Sequence, residues 1–264
     1  MQWVLSDWLQ LALGVEGRVG NIDYLGTAEE AYLLLDREAP LLAYGKSIQQ
    51  IQQERWGGVW MEPKIHVGDS LWGVGARVDG QSSYEPLIQP RMNWQYRGEN
   101  LNIRASIGRY RQFPSIDWQV FFADELEQKT IDSQHVAVGI DGLVAQRWEL
   151  ELNGWGRDTQ NIPRLRGDGN LLVLDSRAYG VEFLSRYRLK ELFFSWVSIG
   201  WSHIDEWPME QENNLQEGLY SQPWNCNIVA SWRPNVNWNI AFRYRYGSGN
   251  RYYDPVDSTF VAAD

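Results

Sequence analysis

Residues that could do catalytic chemistry are few in this chain and lie far apart in the sequence. The three histidines are His66, His135 and His203, and the single cysteine is Cys226. No stretch has the spacing of a zinc-protease, paired-cysteine, phosphate-binding or serine-hydrolase motif. A hydrolase would need a Ser/His or Asp/His pair, which we cannot assemble from these histidines. The sequence therefore predicts that the protein is not an enzyme and that it holds no cofactor or metal.

Charged residues recur at every second position in several stretches, and this spacing favours ion pairing over catalysis. Side chains at alternate positions of a β-strand lie on the same face. The residues that share the polar face by this rule are Arg77, Arg91, Arg104, Arg186, Arg188, Arg243 and Arg245, together with Glu16, Asp79, Glu151 and Glu182. Two interpretations are open. This face is either an ordinary solvated sheet face or the polar lumen of a barrel, whose charges pair with each other or with a plug inside it.

A second candidate site lies in longer segments that mix aromatic and acidic residues. Segment 204–222 is acidic and has no basic residue, and segment 110–132 places aromatic side chains among its acids. Such a rim would favour a cationic ligand or Ca²⁺, although no segment has the spacing of an EF-hand, and ordinary solvated loops are the alternative. The predicted ligand-binding residues are Tyr110, Phe113, Trp118, Asp205, Glu206, Trp207 and Tyr252.

The elements that carry these residues are predicted to be β-strands. In segment 238–246, apolar and aromatic residues alternate strictly with polar or small ones, which is typical of a strand with one apolar face. Similar alternation recurs about eleven times along the chain. An expected strand over 55–62 ends at Pro63, because proline cannot donate to a sheet ladder.

The connections between these strands also alternate in length. One set is short and rich in turn residues, while the other is mostly long, at 27–54, 80–87, 110–132, 157–178, 204–222 and 249–264. Short turns at one rim and long loops at the other are typical of transmembrane barrels. Trp232 and Trp238, on either side of the turn 233–237, lie where an aromatic girdle would place them. The predicted fold class is therefore all-β, an antiparallel up-and-down transmembrane β-barrel with about 11 visible strands.

Composition narrows the classes of protein further. The chain has 264 residues, 14% aromatic residues with 15 Trp among them, and a formal net charge of −10. The negative charge argues against nucleic acid as a partner, because phosphate binding needs a basic patch. No apolar run approaches the roughly 18 residues of a membrane helix, and the N-terminal residues do not resemble a secretory signal. Cys226 falls on the apolar side of its strand, where we expect a packing role.

Six segments, in order, resemble the barrel of TonB-dependent outer-membrane receptors, the family that imports siderophores, cobalamin and some sugars. The segment Leu71–Asp79 is similar to the family's strand L-x-L-x-x-G-x-R-Y-D, with Val78 at the tyrosine position and the glycine displaced. The other segments are Gln89–Met92 (family S-P-R), Ala105–Tyr110 with Phe113-Pro114 (A-S-x-G-x-x-x-x-F-P), Tyr179–Glu182 (x-G-x-E), Gln222–Asn225 with Ile228 (Q-P-H-x-L, Trp224 replacing the His) and Gly247–Tyr252 (S-G-R-P-Y).

The resemblance implies that residues 1–264 form a partial receptor barrel domain, about half of a 22-stranded barrel. The family's plug domain, TonB-contacting box and C-terminal strands have no counterpart in this sequence. The implied location is the outer membrane of a Gram-negative bacterium. The implied partners are outer-membrane lipid, a small-molecule or metal-chelate ligand, and the TonB–ExbB–ExbD system, which is reached through a plug domain.

The resemblance also assigns roles to the polar face. The residues expected to face the lumen or the plug are Arg77, Arg91, Arg104, Glu151, Glu182, Arg186, Arg243 and Arg245. Two other hypotheses stay open. One is a smaller porin-like barrel or a structural binding scaffold without TonB coupling. The other is an enzyme embedded in a barrel, which would need a catalytic pair at the rim.

Overall fold

Every regular element in the described part of the chain is a β-strand. The computed structural model describes residues 2–27, 47–82, 84–115, 129–165, 171–209, 216–218, 221–249, 251–254 and 259–262. The strands are β1 (Gln2–Ser6), β2 (Leu9–Thr27), β3 (Ser47–Val67), β4 (Ser70–Gln81), β5 (Leu87–Arg97), β6 (Leu101–Gln112), β7 (Ile131–Val144), β8 (Trp148–Leu165), β9 (Leu171–Leu189), β10 (Phe193–Pro208), β11 (Gln216–Glu217), β12 (Trp224–Asn235), β13 (Trp238–Gly247), β14 (Arg251–Asp254) and β15 (Thr259–Ala262).

Twelve of these strands form one antiparallel sheet in which each strand pairs with its neighbours in the chain. The order is β1 to β10, then β12 and β13, while the short β11 pairs with the end of β10, and β14 and β15 form a separate two-stranded sheet. This up-and-down order confirms the predicted fold class. The predicted count of about eleven omitted β1, which has only 5 residues and therefore shows little alternation. The outer edges of β1 and β13 have no strand neighbour among the described residues, so the described sheet is not closed.

Several segments that were predicted as long loops continue as paired strands. β2 and β3 have 19 and 21 residues, and β8, β9 and β10 together cover most of 157–178 and the start of 204–222. Two antiparallel strands stay paired as long as their backbone N–H and C=O groups form hydrogen bonds with each other. This pairing does not require that one face of the strands stays apolar. The prediction that Pro63 ends its strand is also wrong. β3 runs on to Val67, and the effect of the proline is that the register with β4 lacks pairs at residues 62 and 63.

The register between the strands separates a polar face from an apolar face. Directly paired residues of an antiparallel sheet lie on the same face. One row of pairs crosses from β6 to β13 on the polar face through Arg104, Gly139, Asn153, Glu182, Gly200, Asn225 and Gly247. On the opposite face, Ile107, Val136 and Phe242 are 60%, 53% and 56% exposed. Exposed apolar residues that continue along a sheet face mark a surface that contacts lipid or another protein.

Aromatic residues border the apolar part of this face on two sides. Near the short turns, the ring of Trp72 lies 5.8 Å from that of Trp94. Further toward the long connections, in the middle of β9 and β10, the ring of Tyr179 lies 5.8 Å from that of Trp201. Tyr187, at the short-turn end of β9, is eight residues from Tyr179 on the same face, or about 27 Å of strand. This spacing fits an apolar band about 25 Å tall between two girdles.

The turn between β12 and β13 continues the girdle at the short-turn end. Trp232 and Trp238 both lie on the apolar face and are 48% and 64% exposed, at the positions that the girdle hypothesis requires. Among the described residues, no helix is long and apolar enough to cross a membrane.

Candidate functional site: the polar face and the long-loop rim

An arginine on β4 organises the first charged cluster of the polar face. The guanidinium of Arg77 donates from Nε to both Asp79 oxygens at 2.9 and 2.8 Å and from Nη2 to Glu16 Oε2 at 3.0 Å. Glu16 lies on β2, two strands away, so the arginine crosses β3. The residue of β3 that pairs with both acids is Gly58, and a Cβ there would collide with Asp79 and with the Arg77 Nη2 atom. The glycine therefore provides the space for the bridge.

The second cluster repeats this arrangement on β6, β7 and β8. Arg104 donates from Nη1 to Asp141 Oδ1 at 3.2 Å, and its Nη2 bonds to Glu151 and, at 2.9 Å, to Asn153 Oδ1. The residue between the arginine and Asn153 is Gly139. A Cβ at Gly139 would lie 2.5 Å from Asn153 Oδ1 and 2.7 Å from Arg104 Nε. Again the intervening strand leaves room for a long side chain that lies flat over it.

Two further ion pairs and an aromatic contact complete this part of the face. Arg91 on β5 reaches Glu62 on β3 at 3.2 Å, and Arg186 on β9 reaches Glu149 on β8 at 2.8 Å. The guanidinium of Arg91 also lies 5.8 Å from the ring centre of Trp60, within the range of cation–π attraction. The charges on these strands are therefore largely compensated within the sheet itself.

The remaining three residues predicted to face a lumen have no such partners. Glu182, Arg243 and Arg245 lie on the same polar face and are exposed. None of the three takes part in an ion pair or hydrogen bond within the described part of the chain. The register thus brings all eight predicted residues to one face, and their contact with a lumen or a plug stays a prediction.

The aromatic candidates near the long connections lie at the end of β6. Tyr110 lies on the strand itself, is 41% exposed and has its ring 4.6 Å from that of His135. Phe113 follows the strand, is only 8% exposed and packs at 5.2 Å against Tyr84, whose phenol has its pKa raised by burial. Tyr110 therefore offers a ligand more surface than Phe113. Trp118 lies outside the described residues.

Asp205, Glu206 and Trp207 were expected in an acidic loop, and the structure places them on β10 instead. The loop assignment is wrong because this segment stays in register with β9 as far as Pro208. Both Glu206 oxygens accept hydrogen bonds from Arg164, at 2.6 and 2.7 Å.

The two neighbours of Glu206 on β10 also contact other side chains. The carboxylate of Asp205 lies 2.9 Å from the imidazole of His203. Trp207 is 9% exposed and lies beneath Arg177, whose guanidinium carbon is 5.9 Å from the centre of the indole ring. These side chains are already partnered within the protein. Tyr252 lies on β14, and its side chain is outside the described part.

One pair that sequence reasoning missed is formed by Ser133 and His135. The Ser133 Oγ atom lies 2.8 Å from His135 Nε2, because residues two apart on β7 share a face. The serine is 8% exposed, and its hydroxyl also lies 2.7 Å from that of Thr159. This arrangement is a buried polar network rather than an accessible nucleophile. No group of three or more histidine, cysteine or acidic side chains that could hold a metal occurs among the described residues.

Comparisons with known proteins bear on the fold. No family model matches this sequence, and no curated protein sequence matches it. Solved structures do match: the FrpB iron transporter from Neisseria meningitidis (F3-3 variant) has a TM-score of 0.72 and 15% identity, covering 99% of this chain and 44% of that one. The siderophore receptor PirA from Pseudomonas aeruginosa has a TM-score of 0.68 and 13% identity, covering 93% and 44%.

A third solved structure matches with a similar TM-score, identity and coverage. The ferric enterobactin receptor PfeA (G324V mutant) from Pseudomonas aeruginosa has a TM-score of 0.68 and 12% identity, covering 93% of this chain and 39% of that one. This chain thus spans about two fifths of the length of the structures that it matches. The matched proteins are transport receptors rather than enzymes. The described part of this chain has the barrel fold of the TonB-dependent outer-membrane receptors.

Proposed function

We propose that this chain forms part of the wall of a TonB-dependent receptor in the outer membrane of a Gram-negative bacterium. In this proposal, residues 1–264 supply about half of a 22-stranded barrel, and a plug domain couples the barrel to TonB–ExbB–ExbD. The observation that carries the proposal is the two-faced sheet. Its exposed apolar face lies between two aromatic girdles, and its opposite face is charged. Such a sheet is suited to lipid on one side and to a polar lumen on the other.

The ligand of such a receptor is a scarce nutrient, such as a siderophore, cobalamin or a similar compound. The matched structures named for iron or siderophores favour a metal chelate within this class. Of the predicted rim residues with described side chains, Tyr110 fits a ligand contact best, because its ring is exposed while Glu206 and Trp207 are engaged within the protein. An aromatic platform of this kind would contact a chelate through its ring face.

Uptake measured in living cells tests this function. The gene that encodes this chain is deleted in its source bacterium, and uptake of radiolabelled ferric siderophores and of labelled cobalamin is compared with the wild type. The same measurement is made in a strain that lacks TonB. We expect uptake of at least one compound to be lost in both strains. TonB-independent uptake would contradict the proposal and support the porin-like alternative, and absence of the chain from outer-membrane fractions would contradict both.

A matched pair of variants tests the ligand contact. Tyr110→Ala removes the exposed ring at the rim, whereas Tyr246→Ala removes a tyrosine that lies on the apolar face of β13. We expect the first variant to weaken uptake of the compound identified above and the second to leave its half-saturating concentration unchanged. Equal effects of the two variants would show that Tyr110 is not a ligand contact.

A further inference from the structure

Two aromatic rings lie against the polar face where glycines leave space for them. A Cβ at Gly108 would lie 3.0 and 3.1 Å from ring carbons of Tyr110, so this ring extends along β6 over the glycine. A Cβ at Gly180 would lie 2.9 and 3.0 Å from two indole carbons of Trp155, its partner across β8 and β9. Both rings therefore lie flat on the wall of the proposed lumen.

An arginine without an ion-pair partner lies between the two rings. Arg157 is two residues from Trp155 and shares its face of β8. Across the strands it pairs with His135, which in turn pairs with Gly108. Arg157 is exposed and takes part in no ion pair or hydrogen bond within the described part of the chain. From Gly108 on β6 to β9, the patch crosses three strand spacings, or about 14 Å.

The ring of Tyr110 is held in place from the side of β7. It lies 4.6 Å from the ring of His135, and Nε2 of this histidine lies 2.8 Å from Ser133 Oγ. The serine hydroxyl lies 2.7 Å from that of Thr159 on β8. A ring that is already ordered loses little conformational entropy when a ligand binds to it.

The described carboxylates on this face do not neutralise Arg157. Glu206 lies two strands away, and both of its oxygens accept hydrogen bonds from another arginine. Glu182 lies on the neighbouring strand, but four residues further toward the short turns, which is about 13 Å. Asp158 is on the opposite face, where it too binds another arginine. The described side chains thus give the patch a positive charge, opposite to that of the acidic rim predicted from segment 204–222.

The chemistry of the patch matches an anion that carries flat aromatic groups. Guanidinium N–H groups form charge-assisted hydrogen bonds with negatively charged oxygens. Tyrosine and tryptophan rings pack against other aromatic rings in offset-stacked or edge-to-face arrangements. A ferric catecholate has both features, because the oxygens that bind Fe³⁺ are negatively charged and are attached to an aromatic ring. Ferric citrate has the charge without the ring, and an uncharged ferric hydroxamate has neither.

We propose that Arg157, Tyr110 and Trp155 form a site on the barrel wall that selects a negatively charged ferric catecholate. The inference rests on the proposed function, and it narrows the ligand from scarce nutrients in general to one chemical class. Arg157 selects for negative charge, and the two rings select for aromatic groups.

Competition for uptake tests this selectivity on the complete receptor in its source bacterium. The labelled probes are ferric enterobactin and ferric dihydroxybenzoylserine (catecholates), ferric citrate, ferrichrome (an uncharged hydroxamate) and cyanocobalamin. Uptake by the receptor is the difference between the wild type and the strain in which its gene is deleted. We expect TonB-dependent uptake of a catecholate. Unlabelled ferric citrate or ferrichrome should compete only at concentrations about tenfold or more above that of the unlabelled catecholate.

Variants at the arginine locate the charge selection. Arg157→Gln should raise the half-saturating concentration of the catecholate about tenfold, and Arg157→Lys, which keeps the charge, should raise it less. The matched control is Arg188→Gln, which removes an exposed arginine of the same face, ten residues along β9 from the residue opposite Arg157. An equal effect of this control would show a general effect of charge on the polar face and would overturn the site.

A second pair of variants tests the aromatic selection. Trp155→Leu should raise the half-saturating concentration about fivefold, because one ring contact is lost. Trp196→Leu is the control, since Trp196 lies on the same face near the short turns and pairs with Arg186. Equal effects of the two variants would contradict a ring contact at Trp155. The amount of each variant in outer-membrane fractions is measured alongside, and the competition in the wild type decides the inference even if a variant is missing there.

The same uptake data separate this inference from the proposed function. TonB-dependent uptake of ferrichrome or cyanocobalamin instead of a catecholate would overturn the inference and leave the proposed function standing. Competition by ferric citrate as strong as that by the catecholates would show selection by charge alone and would also overturn it. If the receptor takes up none of the probes, the proposed function is contradicted and the inference falls with it.

Discussion

The polar face of the sheet has two regions in which the arginines have different contacts. The first region comprises β4 to β6, and the second region is β13. On β4 to β6, the arginines reach carboxylates two strands away, as Arg77 does to Glu16 and Arg91 to Glu62. On β13, Arg243 and Arg245 form no ion pair or hydrogen bond within the described part of the chain. The difference lies in the strands beside them. The first region has glycines that leave space and acids beyond them, whereas β12 places Val229 and Asn227 opposite the two β13 arginines.

The comparison shows that one residue type at one spacing can have two roles. The arginines of β4 to β6 form ion pairs and hydrogen bonds within the sheet and therefore stabilise it. Those of β13 keep all their donors, so they are available to a partner that is not part of the described sheet. In the proposed barrel this partner is a plug or an adjacent strand.

The largest expected effect concerns the outer edges of the described sheet, one of which is the edge of β13. Within the described residues, β1 and β13 each have one edge with no strand paired to it, and each unpaired N–H or C=O group there would cost several kcal/mol in hydrocarbon. We expect the isolated chain, refolded into detergent, to aggregate or to pair edge to edge rather than to close as a monomer. The measurement is an SDS gel with and without boiling. A compact, heat-modifiable monomer would contradict this and favour a small complete barrel.

Phe242→Arg should be the most damaging single substitution on β13. This residue lies on the apolar face and is 56% exposed, so an arginine there would put a charge into the bilayer at a cost of about 2–4 kcal/mol. Arg243→Ala, one residue away on the other face, should cost much less because its guanidinium has no partner in the described sheet. Unfolding of the complete barrel by urea in lipid vesicles measures both. A larger effect at Arg243 would reverse the assignment of the faces.

In the first region, filling the space over β7 should break the bridge made by Arg104. Gly139→Ala places a Cβ against Asn153 Oδ1 and Arg104 Nε, and we expect a cost of about 1–3 kcal/mol from the forced movement. Gly154→Ala is the matched control on β8, because its Cβ would meet no atom within 4 Å. The same unfolding measurement in vesicles applies. If Gly154→Ala destabilises the barrel as much as Gly139→Ala does, the cost comes from replacing a strand glycine by alanine and not from filling the space beside Arg104.

The smallest effects should come from removing single arginines. Arg104→Ala leaves Asp141 and Glu151 without their shared partner, and since its side chain is 46% exposed we expect only about 1 kcal/mol. Arg245→Ala should stay within about 0.5 kcal/mol. The measurement is urea unfolding of the complete barrel without a plug domain. If Arg245→Ala destabilises that barrel more than Arg104→Ala does, Arg245 has a structural partner in the barrel wall, and the contrast between the two regions fails.

The sequence by itself determined the class of the elements and the division into two faces. The alternation in 238–246 predicted β13 and its aromatic face, and the structure shows both. The eight charged candidates were assigned to one face from their spacing, and the register places them together. These features are local, because a period of two follows from the backbone of a single strand.

The tertiary structure decided where strands end and which charges meet. Asp205 and Glu206 were predicted to share a loop, but their pairing with β9 puts them on opposite faces, where one meets His203 and the other Arg164. Likewise, the bridge from Arg104 to Glu151 depends on Gly139 of the strand between them. Register is set by hydrogen bonds between strands far apart in the chain, so no local pattern could show which acid each arginine would reach.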